Sequence, residues 1–162
     1  MFERKGILFM TQAAAIAAIY VVLTFVFAPI SFGEVQVRIS EALCILPIFT
    51  PAAIPGLYIG CFLGNLLSGA SVFDVIFGSL ATLIGAFGTY YLRYKKPVVA
   101  AIPPILSNAF IVPFILRYAY QVALPIWIMM LSVGAGEVLS VAGLGLLLYA
   151  VLEPNKKVVF RQ

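Results

Sequence analysis

The sequence predicts an all-α integral membrane protein with six transmembrane helices and both termini in the cytoplasm. Its 162 residues are 64% hydrophobic and only 10% charged, with a mean hydropathy of +1.13. A soluble domain carries about 25% charged residues, so a soluble chain of this length could not hide so much apolar surface. Because a helix needs roughly 20 residues to cross the hydrocarbon, there is room for about six crossings in one membrane domain, 1–162.

The apolar runs divide the chain into six predicted spans, at about 7–29, 41–51, 54–69, 73–92, 98–117 and 124–152. The first run is too long for the apolar part of a signal peptide and lacks a clear A-x-A cleavage site, so we interpret it as a retained helix. Spans two and three are short and meet at TPAAIP, where two prolines stop or kink helices. This pair therefore need not cross the bilayer as two straight helices.

Lysine and arginine predict the orientation, because cytoplasmic loops carry an excess of both. With the N-terminus inside, eight of the ten basic residues lie inside, and only Arg38 and Arg117 lie outward. Four acids fall on the outer side or within the membrane: Glu34, Glu41, Asp74 and Glu137. The outer half thus carries −2 and the cytoplasmic side +6, which suits a cationic solute arriving from outside. The net charge reflects orientation and anionic lipid, not nucleic-acid binding.

Glu137 is the sharpest signal of a binding site, since it lies well inside the sixth span. A charged side chain there costs at least about 2.5 kcal/mol, so it should face an interior and have a partner. Asn108 is expected near mid-depth of span five, within reach of the same cavity. We predict ligand contact for both. The alternatives are a protonated hydrogen bond or an arginine pair for Glu137, and helix–helix contact for Asn108.

The stretch FGEVQVRISEAL, residues 32–43, gathers charges between the first two spans. We expect it to fold over a cavity as a lid, with Arg38 and Glu41 holding or gating the ligand. Glu34 is a more exposed candidate. The alternative is that Arg38 and Glu41, spaced i, i+3, pair with each other.

Asp74 and Trp127 are further candidates for ligand contact. Asp74 begins span four, where capping-box spacing from Ser71 gives it an equally good structural role. Trp127 is either an interfacial aromatic residue or a surface on which a flat ligand stacks.

Small residues recur every four positions on two spans. The first span carries Ala13, Ala14, Ala17 and Ala18, and the third carries Gly56, Gly60 and Gly64. Such stripes let helices approach closely in lipid. They serve packing within the chain or docking onto another membrane protein, and we favour docking.

No catalytic arrangement is visible in the sequence. It has no histidine, no H-E-x-x-H, no P-loop, and no serine or cysteine with a plausible base nearby. Cys44 and Cys61 lie in apolar surroundings and are expected to be small buried side chains. We therefore expect neither an enzyme nor a metal or cofactor, and an ATP-driven step would need another subunit.

Four stretches, in order along nearly the whole chain, resemble the QueT family: FGEVQVRISEALCILPIFTPAAIPGLYIGCFLGNLL, DVIFGSLATLIGAFGTYYL, LSNAF and GAGEVLSVAGLG. RISEAL followed by TPAAIPGL is the specific part. The family comprises proposed queuosine-precursor transporters, the substrate-binding S components of energy-coupling factor (ECF) transporters. The resemblance implies six helices in the cell membrane with cytoplasmic termini, and a ligand site in the outer half, gated by the loop between helices one and two.

The resemblance also implies partners. S components dock through an alanine motif on helix one onto a transmembrane coupling subunit, which two ATPases drive, and they are thought to topple in the membrane to release cargo. The residues matching that motif are Ala13, Ala14, Ala17 and Ala18.

Queuosine precursors such as preQ1 and queuine resemble guanine, with a two-donor edge that a carboxylate accepts and a cationic aminomethyl nitrogen. Glu137 is expected to read that edge, although Glu41 or Asp74 could take its role. Asn108 and Trp127 supply the amide and the aromatic face. Two functional alternatives stay open: an S component for another vitamin, and a stand-alone proton-coupled transporter of a small cationic solute.

Overall fold

The computed structural model describes the backbone of residues 2–31 and 37–160, and the side chains of residues 5–29 and 37–160. Within these ranges every regular element is helical and no strand occurs, so the predicted all-α class is confirmed for this part of the chain. We group the principal elements as α1 (Phe2–Val26), α2 (Ile39–Ile48), α3 (Ala53–Leu67), α4 (Ser79–Tyr91), α5 (Pro97–Tyr118) and α6 (Ile126–Val159).

Three of these helices are long and apolar enough to cross a membrane: α1 from Lys5, α5 and α6. They correspond to predicted spans one, five and six. The fourth span is composite, because a π turn, Asp74–Gly78, leads directly into α4. Large apolar side chains are exposed along α1, α4, α5 and α6, as expected of helices that face lipid. Six complete crossings remain a prediction.

The second predicted span is a buried 3₁₀ helix, α2, in place of a membrane-crossing α-helix. It contains Pro47, which lacks a backbone N–H, and its side chains from Ser40 to Pro47 are buried. At about 2.0 Å per residue, ten residues rise only about 20 Å, less than the roughly 30 Å of hydrocarbon. The other helices surround α2, so it forms the centre of the bundle.

The glycine stripe of α3 packs against α1. A Cβ on Gly56 would lie 2.7 Å from the Ala13 carbonyl oxygen, and one on Gly60 would lie 2.7 Å from Cβ of Tyr20. Gly64 faces the same helix. Since only glycine allows this approach, the docking interpretation of these glycines was wrong: they hold two helices of this chain together.

A second close approach joins α4 to α5. A Cβ on Gly85 would lie 2.6 Å from Cα of Pro104, and one on Gly88 would lie 2.4 Å from Cβ of Pro103. This contact fixes the relative position of the two helices. It therefore fixes the π turn before α4 relative to the polar side chains of α5.

Candidate functional site

Polar side chains meet inside this otherwise apolar bundle. None of them is more than 4% exposed, and they come from every principal helix and from the segments that lead into α2 and α4. We call the set the polar core: Tyr20, Arg38, Glu41, Asn65, Asp74, Thr82, Asn108, Glu137 and Ser140. Five of the six predicted ligand-contact residues belong to it.

Asp74 forms a buried ion pair with Arg38. The Arg38 Nη2 atom lies 3.2 Å from each carboxylate oxygen of Asp74, and the Tyr120 hydroxyl donates to Oδ2 at 3.2 Å. The Asp74 N–H donates to Ser71 Oγ at 3.2 Å, so the predicted capping bond forms, but the carboxylate does not return to Ser71. The Ser71 N–H donates to Tyr120 instead, at 3.1 Å.

This cluster joins three segments at one end of the bundle: the chain before α2, the π turn before α4, and the loop between α5 and α6. Burial raises the pKa of Tyr120, which lies in that loop. Its phenol therefore stays protonated at neutral pH and remains a donor to Asp74. The ion pair and the phenol together close this end of the polar core.

Glu41 is satisfied by neighbours within the chain. The Tyr20 hydroxyl donates to Oε1, and the Cys44 thiol donates to Oε2 at 2.9 Å. The Thr82 Oγ1 atom lies 3.3 Å from Oε1 of Glu41 and 3.2 Å from the Gly78 carbonyl oxygen, and its single proton can be donated to only one of them at a time. The alternative in which Arg38 pairs with Glu41 was wrong, because Arg38 forms its ion pair with Asp74.

Glu137 is only partly satisfied. Its carboxyl group lies beside the side chain of Asn108, and its Oε2 atom is buried with no hydrogen-bond partner among the described residues. The Oγ of Ser140, three residues along α6, is buried and unpartnered in the same sense. Leaving such a group unpaired costs about 1–3 kcal/mol, and more for a charged one. The polar core therefore contains, on α6, a carboxyl oxygen and a hydroxyl group whose hydrogen-bonding capacity is unused by the described residues.

Glu137 and Asn108 lie at matching depths. Glu137 is eleven residues from the start of α6, and Asn108 is ten residues from the end of α5. At about 1.5 Å per residue, both are roughly 15 Å from the end of the bundle where those two helices join. That is near the middle of the roughly 30 Å hydrocarbon layer.

The polar core has more carboxyl groups than basic side chains. It contains the carboxyl groups of Glu41, Asp74 and Glu137 and one basic side chain, that of Arg38. A buried excess of carboxyl groups over basic groups favours a cationic or donor-rich ligand. Among the described residues, no cluster of three or more metal-ligating side chains occurs.

Comparisons with known proteins give the family. A model of the QueT transporter family matches residues 10–154. The chain belongs to the QueT transporter family. It is 42% identical over 73 residues to the queuosine precursor transporter QueT of Lactococcus lactis subsp. cremoris (strain MG1363). That match covers 44% of this chain and 43% of the relative, less than half of the relative's length. No solved structure matches.

In this QueT-family chain Trp127 lies outside the polar core. It is the second residue of α6, near the bundle end, and its side chain is 63% exposed. That position fits the interfacial alternative. Glu34 and the rest of 32–36 lie outside the described residues, so only the end of the predicted lid, from Val37, is seen.

The alanines of α1 divide between two faces. Ala17 is buried and Ala13 half-buried against α3, whereas Ala14 and Ala18 are exposed. Two of the four predicted docking residues thus serve packing within the chain, because α3 occupies that side of α1. The other two remain accessible to a partner.

The sequence prediction missed several members of the polar core: Tyr20, Asn65, Thr82 and Ser140. Each is a polar residue inside an apolar run, which is a usable signal. Ser140 in particular lies only three residues after Glu137 in the same apolar run. Tyr20 directly follows the alanine stripe of α1, and nothing in that stretch of sequence indicates a contact with Glu41.

Proposed function

We propose that this chain is the substrate-binding S component of an ECF transporter that imports a queuosine precursor, a 7-deazaguanine such as preQ1 or queuine. The observation that carries the proposal is the buried, unpartnered Oε2 of Glu137 beside Asn108 and Ser140. Family membership and the printed name of the Lactococcus relative support the substrate class.

Glu137 is the carboxylate proposed to read the guanine-like edge of the ligand. Glu41 and Asp74 are less suited, because their oxygens already accept hydrogen bonds from Tyr20 and Arg38. The two-donor edge would satisfy Glu137, and Asn108 would offer its amide to the ring carbonyl. A base lacking those donors would leave the carboxylate unpaired, which gives selectivity.

The cationic aminomethyl nitrogen of such a ligand suits the excess of carboxyl groups over basic groups in the polar core. We propose that it enters where Arg38, Asp74 and Tyr120 meet, since this cluster closes one end of the core. The ion pair must open or shift to admit a ligand. Arg38 and Asp74 thus act as a gate in the proposal, and Glu137 as the binding residue.

The exposed alanines of α1 are the proposed contact to a transmembrane coupling subunit. Ala14 and Ala18 present a small-residue surface on which another helix could pack closely. Ala13 and Ala17 support that surface by packing on α3. Two separate ATPase subunits would supply the energy, since the sequence carries no P-loop.

Calorimetry on the purified chain in detergent tests the binding proposal. Titrated with preQ1, queuine, guanine, thiamine and riboflavin, the protein should bind only the 7-deazaguanines tightly. Glu137→Gln should weaken binding at least about tenfold, because it removes a charged hydrogen-bond acceptor. Glu153→Gln is the matched control: the same change on the same helix, at an exposed carboxylate. Equal affinities for both variants would refute the role of Glu137.

Uptake measurements separate the ECF proposal from a stand-alone transporter. In cells that lack the coupling subunit and its ATPases, this chain should bind preQ1 but not accumulate it. Ala14→Leu/Ala18→Leu should abolish uptake in complete cells while leaving calorimetric affinity unchanged. Accumulation by the chain alone, sensitive to a proton uncoupler, would instead support the proton-coupled alternative.

A further inference from the structure

A large cavity lies at the end of the bundle opposite the Arg38–Asp74 pair. Its volume is about 1100 Å³, and it opens beside the start of α1 and the ends of α4 and α6. Four cations of the described part of the chain line it: Lys5, Arg93, Lys156 and Lys157. We call it the basic cavity. The polar core contributes no residue to its lining.

Among the described residues, the cations of the basic cavity exceed its carboxylates. Glu153 is the single described acid that lines it, and Lys156 pairs with this acid at 2.6 Å. Among the described side chains, no carboxylate lies within salt-bridge distance of Lys5, Arg93 or Lys157. Three positive charges therefore face the cavity without an internal counter-ion in the described part of the chain.

Arg93 is held in place by neutral groups. Its guanidinium lies 3.9 Å from the ring centroid of Tyr90 and 4.3 Å from that of Tyr94. It donates to the Tyr90 carbonyl oxygen at 2.9 Å and to the Tyr94 hydroxyl at 2.8 Å. These contacts orient the guanidinium without cancelling its charge, and they leave N–H groups for an anion.

Gln12 gives a second, independent indication of an acceptor ligand. Its Oε1 accepts a hydrogen bond from the Thr50 hydroxyl at 2.9 Å, and both residues line the cavity. Its Nε2 is buried and has no hydrogen-bond partner among the described residues. An unused buried donor beside three cations calls for an oxygen-rich, negatively charged group.

One wall of the cavity is apolar. The Phe49 ring stacks on Tyr149 with 5.2 Å between ring centroids and on Phe160 with 5.3 Å, and Leu8 and Phe9 of α1 also line the cavity. A soluble anion would contact the cations but make no contact with this apolar wall. A phospholipid uses both, since its phosphate meets cations and its glycerol and upper acyl chains meet apolar side chains.

We propose that the basic cavity binds the headgroup of an anionic phospholipid. In this proposal the lipid phosphate lies between Arg93 and Lys157 and accepts a hydrogen bond from Gln12. The acyl chains of the same lipid lie along α1. The cavity lies at the lysine- and arginine-rich end of the bundle, which the charge distribution assigns to the cytoplasmic leaflet, where anionic lipids concentrate. The lipid would hold the ends of α1, α4 and α6 together.

Native mass spectrometry of the delipidated full chain tests this proposal. When either lipid is added back, the protein should retain dioleoyl-phosphatidylglycerol far better than dioleoyl-phosphatidylcholine. Arg93→Gln/Lys157→Gln should weaken phosphatidylglycerol binding roughly 30-fold, because each basic residue contributes roughly a factor of five. The matched control is Lys95→Gln/Lys96→Gln, which removes two exposed charges from the same end outside the cavity and should change binding less than about threefold.

Several results would overturn the proposal. Equal retention of the two lipids, or equal losses in the two double variants, would show that the headgroup is not bound in the cavity. Displacement by millimolar glycerol phosphate as effective as that by lipid would assign the cavity to a soluble anion. If Arg93→Gln/Lys157→Gln retained lipid normally but no longer bound a coupling subunit, the basic cavity would be a binding site for a protein. If Arg93→Gln unfolds the chain, Lys5→Gln/Lys157→Gln keeps the stacked arginine and tests the same charge.

Discussion

Glu41 and Glu137 show how two buried glutamates in one bundle differ in what they can do. Glu41 receives donors from Tyr20 and Cys44, so its oxygens are occupied. Glu137 has Asn108 beside it and one oxygen without a partner among the described residues. Burying an acceptor unpaired has a cost that only a ligand or a proton relieves, so stability and binding compete at Glu137.

The Tyr20–Glu41 contact should act as a structural unit. Glu41→Ala leaves the fully buried Tyr20 hydroxyl without its acceptor, so we expect a loss of about 1–3 kcal/mol in unfolding free energy. Tyr20→Phe/Glu41→Ala should lose less than the sum of the single variants. Thermal unfolding in detergent, followed by circular dichroism, measures this cycle. Strict additivity would show that the two groups do not depend on each other.

The Arg38–Asp74 pair should be costly to break from one side. Arg38→Met leaves the buried Asp74 carboxylate without its cation, and we expect a loss of about 3–5 kcal/mol. Arg38→Met/Asp74→Leu removes both charges and should recover most of that stability. Melting temperatures of the three proteins test this. If the double variant were as unstable as Arg38→Met, the loss of stability would not come from the unpaired Asp74 carboxylate.

The two acids that best mark the site lie at irregular helix segments. Asp74 begins the π turn before α4, and Glu137 directly precedes a second π segment, Val138–Gly145, within α6. A π turn inserts an extra residue and redirects the side chains around it, and such turns are frequent at functional sites. These segments, together with the 3₁₀ helix α2, bring charges from separate helices to one centre.

The α1–α3 contact depends on glycine. In Gly60→Ala the new Cβ would lie 2.7 Å from Cβ of Tyr20, so the helices must separate, and we expect a loss of about 1–3 kcal/mol. Gly143→Ala is the control, because its nearest neighbour would be 3.9 Å away. Thermal unfolding compares the two. Similar melting temperatures would mean that this contact tolerates expansion.

The charge distribution of the whole chain predicts its orientation. In a chain with Cys44→Ala and Cys61→Ala, the added substitution Lys95→Cys should give a thiol that reacts with a membrane-impermeant maleimide only from the cytoplasmic side. A cysteine at Gln121, in the loop between α5 and α6, should react only from outside. Labelling of intact cells and of inverted vesicles distinguishes the two sides. Reaction of both positions from one side would contradict the six-span topology.

Composition and local energetics suffice for the class of the protein and for its most deeply placed acid. Composition predicts a helical membrane protein, and the cost of charge in an apolar run marks Glu137 as an interior residue. These conclusions follow from local energetics, since each depends on a residue and its immediate neighbours along the chain. That is why α1 and α5 begin and end close to the predicted spans, whereas α6 begins close to its span but continues past residue 152 to Val159. Glu41 and Asp74 were predicted as candidate ligand contacts, but not as fully buried side chains.

Which polar groups meet is set by the packing of the helices. Arg38 pairs with Asp74 and not with Glu41 because of how helices distant in sequence pack. The same packing places the glycines of α3 against α1. The same packing leaves Trp127 exposed and one oxygen of Glu137 without a partner among the described residues. A hydrogen bond has an energy only once both partners are in place, so a single sequence cannot reveal which buried acid remains available.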